Sequence, residues 1–534
     1  MIKFSNMQKP KITTILLLVI LLIAAVFRFW QLNEIPPGLY PDVAINGINA
    51  LDDAGTGNFK VFYPDNNGRE GVFFWLISIS FMIFGPSIWA IKIVPALIGF
   101  LTVLGMYFLT KEIFSKEKRA DWIALLATLF LAASFWHTNF SRIGFRAIMV
   151  PFCLVFAFYF LFKAFNSKKV WPLVIAGFFF GLGFYTYIAY RFIIFILTIV
   201  LACWWLVYKK QGLQKTFLRF TVYCLSAIFV TGLPIGIYFL LHPADFFGRA
   251  GGVSVFAEKN PLFALAKSFI LHLGMFNFYG DGNWRHNFAG QPMLPWLIGI
   301  LFVLGMVLSI KSLISSIKNR NYSLLTIHCL LLSWFFFMLA PGFLSAEGAP
   351  HALRVIGLIP VVYIFSALGS VWAFERIRMF FRTKWQVRFF YCCIFILLSL
   401  VVVFEFSKYF YYWGEKPEVA ASFSQNYTDI GNYLNSLPDD VQKYVIVNQD
   451  GVRIPLPNGL PMPAQTSIFI ERAKYGKTRA IYLEPNDIGK IKPEKNTVIL
   501  PLQFDDDLFL KLSQAFPKGE IQRTGSVWFY KITN

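Results

Sequence analysis

The stretch "ITTILLLVILLIAAVFRFW" (Ile12–Trp30) is followed, five residues later, by "PPGLYPDVAINGINALDDAGTG" (Pro36–Gly57). The first segment carries a single charge, Arg28, and is long enough to cross a hydrocarbon core of about 30 Å. The second segment carries three aspartates, although the whole chain is 57% hydrophobic and only 15% charged. Acidic side chains directly outside a membrane span mark this loop as a candidate functional segment.

Long apolar runs recur along the 534 residues and predict an α-helical polytopic membrane protein. One more apolar stretch, Val72–Phe84, is short and ends at "FGPS", so it is predicted to lie at the membrane interface with the rest of the first external loop. About eleven crossings are expected, at residues 12–30, 88–110, 120–139, 145–165, 170–188, 191–208, 219–241, 292–311, 323–341, 352–374 and 388–408.

The basic residues give this arrangement an orientation. With Val72–Phe84 outside the membrane core, every strongly basic loop falls on one side, and these loops together hold 22 Lys and Arg. The positive-inside rule then places the N-terminus in the cytoplasm and the C-terminus outside. The net charge of +20 is explained in this way, and nucleic-acid binding is not expected. The expected location is a bacterial or archaeal plasma membrane, as part of the cell envelope.

Neither a cleaved signal peptide nor a metal-binding motif is expected from the sequence. The first span lacks a small-residue cleavage site and is interpreted as a retained anchor. The six cysteines lie in apolar spans without metal-type spacing, and the six histidines are scattered without an H-x-x-x-H pattern. No cofactor is therefore expected to be required; a divalent metal is compatible with the sequence but not indicated by it.

The last part of the chain changes character. Residues 411–534 are predicted to form a small soluble α/β domain outside the membrane, after a transmembrane domain at 1–410. Residues 415–440 read as one amphipathic helix, and 506–516 as another. The predicted strands are "KYVIVN" (443–448), "TSIFIE" (466–471), "RAIYLE" (479–484), "NTVILPL" (496–502) and "SVWFYKIT" (526–533).

Asp42 opens a segment with helical spacing. Ala44, Ile48 and Leu51 share one face, as in a helix that lies on the bilayer. Asp42 has two interpretations at this point: it is the N-cap of that helix, a position that suits Asp, or it is a functional carboxylate.

Arginines on the external side run against the positive-inside trend. Individually, each is explained by snorkelling to lipid phosphates; together they indicate an anionic ligand, because the guanidinium suits forked phosphate contacts. Arg142 and Arg146 are four apart and are expected to share a helical face, as are His351 and Arg354, which are three apart. The loop Tyr279–Asn287 is either an ordinary structured loop or a holder for a sugar. The external arginines are Arg28, Arg69, Arg142, Arg146, Arg191, Arg249, Arg285 and Arg354.

Four segments in order resemble the GT-C superfamily of integral-membrane glycosyltransferases, most closely the protein O-mannosyltransferase and aminoarabinose-transferase group (glycosyltransferase family 39). The resemblance covers about residues 10–410. Its segments are "GLYPDVAINGINAL" (38–51), residues 67–114 from "NGREGVFFW" to "KEIF", "SRIGFRAIMVPF" (141–152) and "APHALRVIGLIPVVYIF" (349–365).

The resemblance implies a polyprenyl-phosphate sugar donor and transfer, with inversion, to a protein, lipid or glycan acceptor at the non-cytoplasmic face. By position it makes Asp42 the base. Many members have Asp-Glu there, whereas this chain has Asp42-Val43, so a second carboxylate is missing or comes from Glu70 or Asp281. Substrate binding is expected from Arg69, Glu70, Arg142, Arg146, Arg285, His351 and Arg354.

The chemistry agrees with these residue types. A sugar phosphate leaves without protonation, so the enzyme needs one base for the acceptor and cations for the developing phosphate charge. Two alternatives remain open: a transporter or flippase of a lipid-linked or small solute, and a non-catalytic lipid-binding membrane protein. Transporters commonly show internal repeats and mid-membrane charges, and neither is evident here.

The predicted orientation can be tested by cysteine labelling. Single cysteines at Ser115 and Ser513 should react with an impermeant reagent from opposite sides of the membrane, with Ser513 accessible from outside. Labelling of both from the same side would contradict the eleven-span arrangement.

Overall fold

The computed structural model describes residues 9–252, 254–454, 459–494 and 496–533. Most of these residues are helical, and a π-helix, Lys408–Trp413, continues the last long helix. The α-helices are, in chain order, α1 (Lys9–Phe29), α2 (Pro41–Thr56), α3 (Val72–Phe84), α4 (Ile88–Ile113), α5 (Ala120–Ala133), α6 (Phe135–Phe140), α7 (Met149–Ser167), α8 (Trp171–Leu182), α9 (Ile193–Lys210), α10 (Gln214–Leu241), α11 (Pro243–Gly252), α12 (Pro261–Gly274), α13 (Trp296–Lys318), α14 (Tyr322–Phe343), α15 (Ile359–Arg378), α16 (Lys384–Ser407), α17 (Pro417–Ser422), α18 (Gln425–Ser436), α19 (Gln465–Tyr475) and α20 (Asp506–Ala515).

The polytopic helical fold is confirmed, but the count of eleven crossings is not. Within the described residues, nine helices have the length and composition of a membrane span, namely α1, α4, α7, α9, α10 and α13–α16. The other two predicted spans correspond to the shorter helices α5 and α8. The span expected at 120–139 is divided because Ser134 takes an extended conformation and its side chain caps α6 at His137 N. At 1.5 Å per residue, α5 alone measures only about 21 Å.

The chain divides into two compact units. The first unit comprises the chain up to Trp30 and Pro95–Tyr412; the second comprises Gln31–Val94 and the chain from Trp413 onward. This grouping differs from the predicted division after residue 410, because the first loop packs with the C-terminal segment. Gly47 on α2 allows this: a Cβ there would lie 2.6 Å from the Phe469 ring on α19.

The helix α2 is accordingly packed on more than its apolar face. It begins at Pro41, whose missing N–H costs nothing at a helix start, and ends at Gly57, which adopts φ +69° and donates to Asp53 O. Ile48, on the predicted apolar face, and the polar residue Asn46 are both buried. The neighbours of α2 in the second unit are α3 and α19.

The second unit contains a five-stranded mixed sheet of order β4-β3-β5-β7-β6. β3 pairs in parallel with β4 and β5, while β7 pairs antiparallel with β5 and β6. Tyr444, Ile499 and Tyr530 lie side by side across the sheet and form its core with α20. A separate two-stranded sheet pairs β1 with β2. The strands are β1 (Phe62–Tyr63), β2 (Arg69–Glu70), β3 (Gln442–Ile446), β4 (Ile481–Leu483), β5 (Asn496–Pro501), β6 (Gly519–Thr524) and β7 (Val527–Thr533).

Three details of this region were predicted wrongly. The segment 466–471 is not a strand but part of α19; all six of its residues are buried, with Phe469 against Gly47. The single helix expected at 415–440 is broken into α17 and α18 at Ser424, which has a positive φ of 54°. β6 was missed because its side chains are mostly exposed and polar.

In the first unit, α13 and α15 touch backbone to backbone. A Cβ at Gly305 would lie 1.8 Å from Phe365 O, and one at Gly369 would lie 2.0 Å from Leu301 O. Paired small residues of this kind let membrane helices approach closely.

We therefore expect Gly305→Ala to force α13 and α15 apart and to destabilise the protein by about 1–3 kcal/mol. A thermal-shift measurement in detergent should show a lower apparent Tm. Gly232→Ala is the matched control, because a Cβ at Gly232 on α10 has open space around it. Equal Tm values for the two variants would contradict the close packing.

Candidate functional site

Asp42 lies in the first turn of α2, one residue after Pro41. The N-cap of this helix is Tyr40, without a side-chain cap, so the interpretation of Asp42 as the N-cap is wrong. The Asp42 side chain is partly buried, and among the described residues its carboxylate has neither a hydrogen bond nor an ion pair. Negative charge in the first helical turn is stabilised by the helix dipole. The carboxylate is thus available for a group that the protein does not supply.

Arg69 fixes the orientation of the helix that carries Asp42. Its Nη1 donates to Asn46 Oδ1 at 2.7 Å, its Nη2 donates to Asn49 Oδ1 at 2.8 Å, and its Nε donates to Asp65 O at 3.2 Å. The guanidinium is buried and lies over the Phe74 ring. Asn46 is one helical turn after Asp42. The guanidinium N–H groups of Arg69, which the sequence led us to expect at a phosphate, instead hold α2 in place.

The other carboxylates of α2 and β2 have protein partners or are enclosed. Glu70 is buried on β2. Asp53 is buried and accepts a hydrogen bond from Tyr63 Oη; burial raises the pKa of the Asp53 carboxyl. Asp52 forms an ion pair with Arg472. Among the aspartates of α2, only Asp42 therefore lacks a partner within the described residues.

A second group of predicted residues meets in the first unit, around the Asp281 carboxylate. Oδ1 of Asp281 accepts from Asn283 N at 2.8 Å, and Oδ2 accepts from Ala352 N at 2.7 Å. Oδ2 also lies 3.0 Å from His286 Nδ1 and 3.9 Å from His351 Nδ1. One buried carboxylate thus joins the loop after α12 to the segment after α14.

The turn between α6 and α7 reaches the same place. The His286 ring stacks on Phe140, with 5.8 Å between centroids, and meets Phe145 edge-on at 6.3 Å. Asn139 Nδ2 donates to the carbonyl of Arg285 at 2.7 Å. Three segments distant in sequence, at 139–145, 281–287 and 351–352, therefore form one site.

Asp281, His286 and His351 form a cluster, here called the Asp–His cluster, that has the composition of a divalent-metal site. Their ligand atoms all lie within 4.8 Å of one another. Imidazole and carboxylate are suitable ligands for zinc and related cations. Sequence analysis did not indicate a metal, because the histidines are separated by 65 positions and the fold alone brings them together. The pair Asp281 and His286, five apart in one glycine-broken loop, was the available signal.

His272 is a member of this site that sequence analysis did not single out. It is buried on α12; its Nε2 accepts from His351 N at 3.1 Å, and its Nδ1 lies 2.8 Å from Ser268 O. With Nδ1 protonated, both contacts are satisfied by the neutral ring. His272 therefore positions the backbone that presents His351.

Arg354 lies after α14, in the loop that also contains the Asp–His cluster residue His351. Its Nη1 donates to Ser345 Oγ and to Glu347 O, and its Nη2 donates to Glu347 Oε2 at 2.7 Å. Its side chain is 12% exposed. A partly buried guanidinium held in this way can bind an anion in a forked geometry.

Two other arginines have a structural role at helix ends. Arg142 donates to Phe27 O at 3.1 Å and to Trp30 O at 2.7 Å, where α1 ends, and stacks over the rings of Tyr409 and Phe410. It thereby satisfies carbonyls that the end of a helix leaves without partners.

Arg28 does the same for α5, by donating to the carbonyls of Leu131 and Ala132.

Arg142 and Arg146 do not share a helical face, since α6 ends at Phe140 and a separate 3-10 helix begins at Arg146. Arg146 is partly buried over the Tyr187 ring, and Arg285 is also partly buried. Arg191 donates to Phe246 O at 2.7 Å, and the side chain of Arg249 lies outside the described residues.

Part of this sequence is similar to a known protein family. Residues 71–238 match the family model described as dolichyl-phosphate-mannose-protein mannosyltransferase. None of the curated proteins matches the sequence significantly.

Three solved structures are similar over most of the chain. The apo oligosaccharyltransferase of Archaeoglobus fulgidus is 15% identical, with a TM-score of 0.52, over 83% of this chain and 63% of that chain. The oligosaccharyltransferase AglB of Archaeoglobus fulgidus, in complex with an inhibitory peptide and a dolichol-phosphate, is 14% identical, with a TM-score of 0.52, over 99% and 75% of the two chains. ArnT of Cupriavidus metallidurans bound to undecaprenyl phosphate is 12% identical, with a TM-score of 0.52, over 99% and 98%.

The chain thus spans less than two thirds of the first of these structures and nearly all of ArnT. Because the identities are this low, the structural similarity establishes the fold alone. That fold agrees with the ordered segments that resemble the GT-C superfamily. The chain is a helical membrane protein with the GT-C fold.

The Asp–His cluster generates a prediction about metal binding. We expect the purified, chelator-treated protein to bind about one Zn²⁺ per chain by isothermal titration calorimetry, and His351→Ala to weaken binding at least about tenfold, because one of three ligands is lost. His242→Ala is the matched control, since His242 is exposed and outside the cluster. Zinc affinity that is unchanged in His351→Ala would show that the cluster is not the site.

Proposed function

We propose that this protein transfers a sugar from a polyprenyl-phosphate donor to an acceptor at the non-cytoplasmic face of a plasma membrane, with Asp42 as the base. The observation that carries the proposal is the Asp42 carboxylate, which has no partner among the residues that the structure describes and stands in the first turn of a helix held by Arg69. Glycosyl transfer is supported by the GT-C fold and by the match of residues 71–238 to a mannosyltransferase family model.

The donor class is supported by two similar proteins, which were solved with dolichol-phosphate and undecaprenyl phosphate. In this chain, Arg354 is the strongest candidate for the phosphate, because its side chain is only 12% exposed and has an anion as its partner. Arg146 and Arg285 are further candidates. Arg142 contributes by fixing the end of α1, since its donors bind backbone carbonyls.

The proposed reaction is a single displacement. Asp42 accepts the proton of an acceptor hydroxyl or amine while that oxygen or nitrogen attacks the anomeric carbon. The bond from the anomeric carbon to the phosphate oxygen breaks, and its electron pair stays on the phosphate, where Arg354 stabilises the developing charge. One displacement inverts the configuration. A divalent cation in the Asp–His cluster would add positive charge to the loop that carries Arg354.

The sugar and the acceptor belong to the same proposal at a finer level. The family model favours a hexose such as mannose, and the group that the sequence resembles also includes transferases of pentoses such as aminoarabinose. The acceptor is a protein, a lipid or a glycan. The proposed orientation has the N-terminus in the cytoplasm and the C-terminal domain outside.

The role of Asp42 is tested by Asp42→Asn, which keeps the shape of the side chain but removes its basicity. The variant should fold and bind donor normally, yet transfer sugar at least about 10²-fold more slowly. The measurement is the transfer of labelled sugar from polyprenyl-phosphate mannose, and separately from polyprenyl-phosphate aminoarabinose, to acceptors of the host membrane in nanodiscs.

Asp52→Asn is the matched control, because Asp52 lies on the same helix and is half-exposed in its ion pair with Arg472. Asp53→Asn is less suitable, since the Asp53 carboxyl is buried against Tyr63. Wild-type transfer by a folded Asp42→Asn protein would remove Asp42 as the base. Donor binding without transfer by the wild-type protein would instead favour a transporter or a lipid-binding protein.

A further inference from the structure

The contact between Arg354 and Glu347 joins a fixed cation to an exposed anion. The Arg354 side chain is 12% exposed, whereas the Glu347 side chain is 71% exposed, although Oε2 of Glu347 lies only 2.7 Å from Nη2 of Arg354. Within the described chain, the other acceptors of the Arg354 guanidinium are neutral: Ser345 Oγ and the carbonyl of Glu347 itself.

The two partners differ in how firmly the structure holds them. The Ser345 backbone forms a bridge with Ser254, and Ser345 O accepts from Ser268 on α12, so the start of this loop is pinned. Glu347 lies in the following turn, next to Gly348, which has a positive φ of 67°. The Glu347 carboxylate can therefore leave Arg354 by side-chain rotation, while the guanidinium stays in place.

We propose that Glu347 is an internal counter-ion that occupies the place of the donor phosphate on Arg354 and is displaced when the lipid phosphate binds. This inference rests on the proposed function, because it takes Arg354 as the phosphate ligand. A carboxylate and a phosphate present oxygens to a guanidinium in the same forked geometry, so either anion satisfies the same donors.

Both the replacement of Glu347 by the phosphate and its return to Arg354 have a physical reason. A nearly buried guanidinium without a counter-charge is unfavourable, so Glu347 stabilises the donor-free state. The donor is a phosphodiester with one negative charge, whereas the lipid product is a monoester whose second ionisation, near pH 6, gives it almost two. The product would therefore bind Arg354 more tightly than the donor, and a competing carboxylate would favour its release.

Because Glu347 competes for Arg354, the apparent affinity for the phosphate equals the intrinsic affinity multiplied by the fraction of molecules in which Arg354 is free. Because the carboxylate is largely exposed, its pairing energy is modest, and we expect about a 3- to 10-fold effect. The quantity to measure is the dissociation constant of undecaprenyl phosphate for the full chain in nanodiscs, at one fixed salt concentration. Undecaprenol is the reference without phosphate.

The test compares substitutions on the two sides of the ion pair. Glu347→Gln keeps the side-chain shape, Glu347→Ala removes its reach, and each should bind undecaprenyl phosphate about 3- to 10-fold more tightly than wild type and release it more slowly. Arg354→Gln should bind at least about 10-fold more weakly, and Arg354→Lys should fall between, because Lys keeps charge without the fork. Glu258→Gln is the control for net charge, since Glu258 is exposed on another loop of the same unit.

The outcomes separate this inference from the function on which it rests. If Arg354→Gln weakens binding while the Glu347 variants bind like wild type or more weakly, the counter-ion role is overturned and the phosphate assignment stands. If Arg354→Gln binds like wild type, both assignments fall. If wild type does not prefer undecaprenyl phosphate to undecaprenol, the proposed donor class falls as well. If Glu347→Gln binds inorganic phosphate more tightly than wild type but binds undecaprenyl phosphate no more tightly, the lipid phosphate is overturned as the displacing anion.

Discussion

The exclusion of water from a membrane interior is the constraint on which the first unit depends. Each helix end leaves carbonyls without partners, and in an apolar environment an unpaired polar group costs several kcal/mol, on the order of 2–7. Two buried arginines satisfy such carbonyls here: Arg28 at the end of α5 and Arg142 at the end of α1. Long cationic side chains suit helix C-termini in a second respect, because the helix dipole places negative potential there.

This constraint sorts the arginines that looked alike in the sequence. Those with buried donors on backbone or amide oxygens, such as Arg142 and Arg69, position helices. Arg354 differs because one of its partners is an exposed carboxylate, so that contact can be exchanged for another anion without leaving a buried group unpaired. Whether an arginine positions a helix or can bind an anionic ligand thus depends on what its guanidinium already contacts, and not on its charge or its position along the chain.

The Asp281 carboxylate plays the corresponding role for loops. It accepts two backbone N–H groups, from Asn283 and Ala352, and it contacts His286. Loops that would otherwise be mobile are thereby fixed, and the two histidine rings come to lie 4.9 Å apart. Pre-formed polar groups of this kind are needed wherever charge develops during a reaction, because reorganising them at that moment would cost energy.

The sequence by itself determined the class of fold, the first-loop helix and the identity of most residues that now form the two sites. Composition and the length of apolar runs suffice for this, because a bilayer admits only helices or closed barrels. The resemblance in ordered segments also predicted the GT-C fold correctly. The division of the span at 120–139 could not be read from hydropathy, because it occurs at Ser134, whose extended backbone and capping hydroxyl leave the apolar pattern unchanged.

Only the tertiary structure decided which of these residues act together. His286 and His351 are distant in sequence, and no spacing rule connects them; the buried Asp281 does. The segment 466–471 reads as a strand, yet it is helical and its Phe469 ring lies against Gly47. Likewise, the N-cap role that suited Asp42 by residue type falls to Tyr40, since Pro41 begins the helix. Local patterns specify periodicity and propensity, whereas the partner of a buried polar group depends on what the fold places within hydrogen-bond distance.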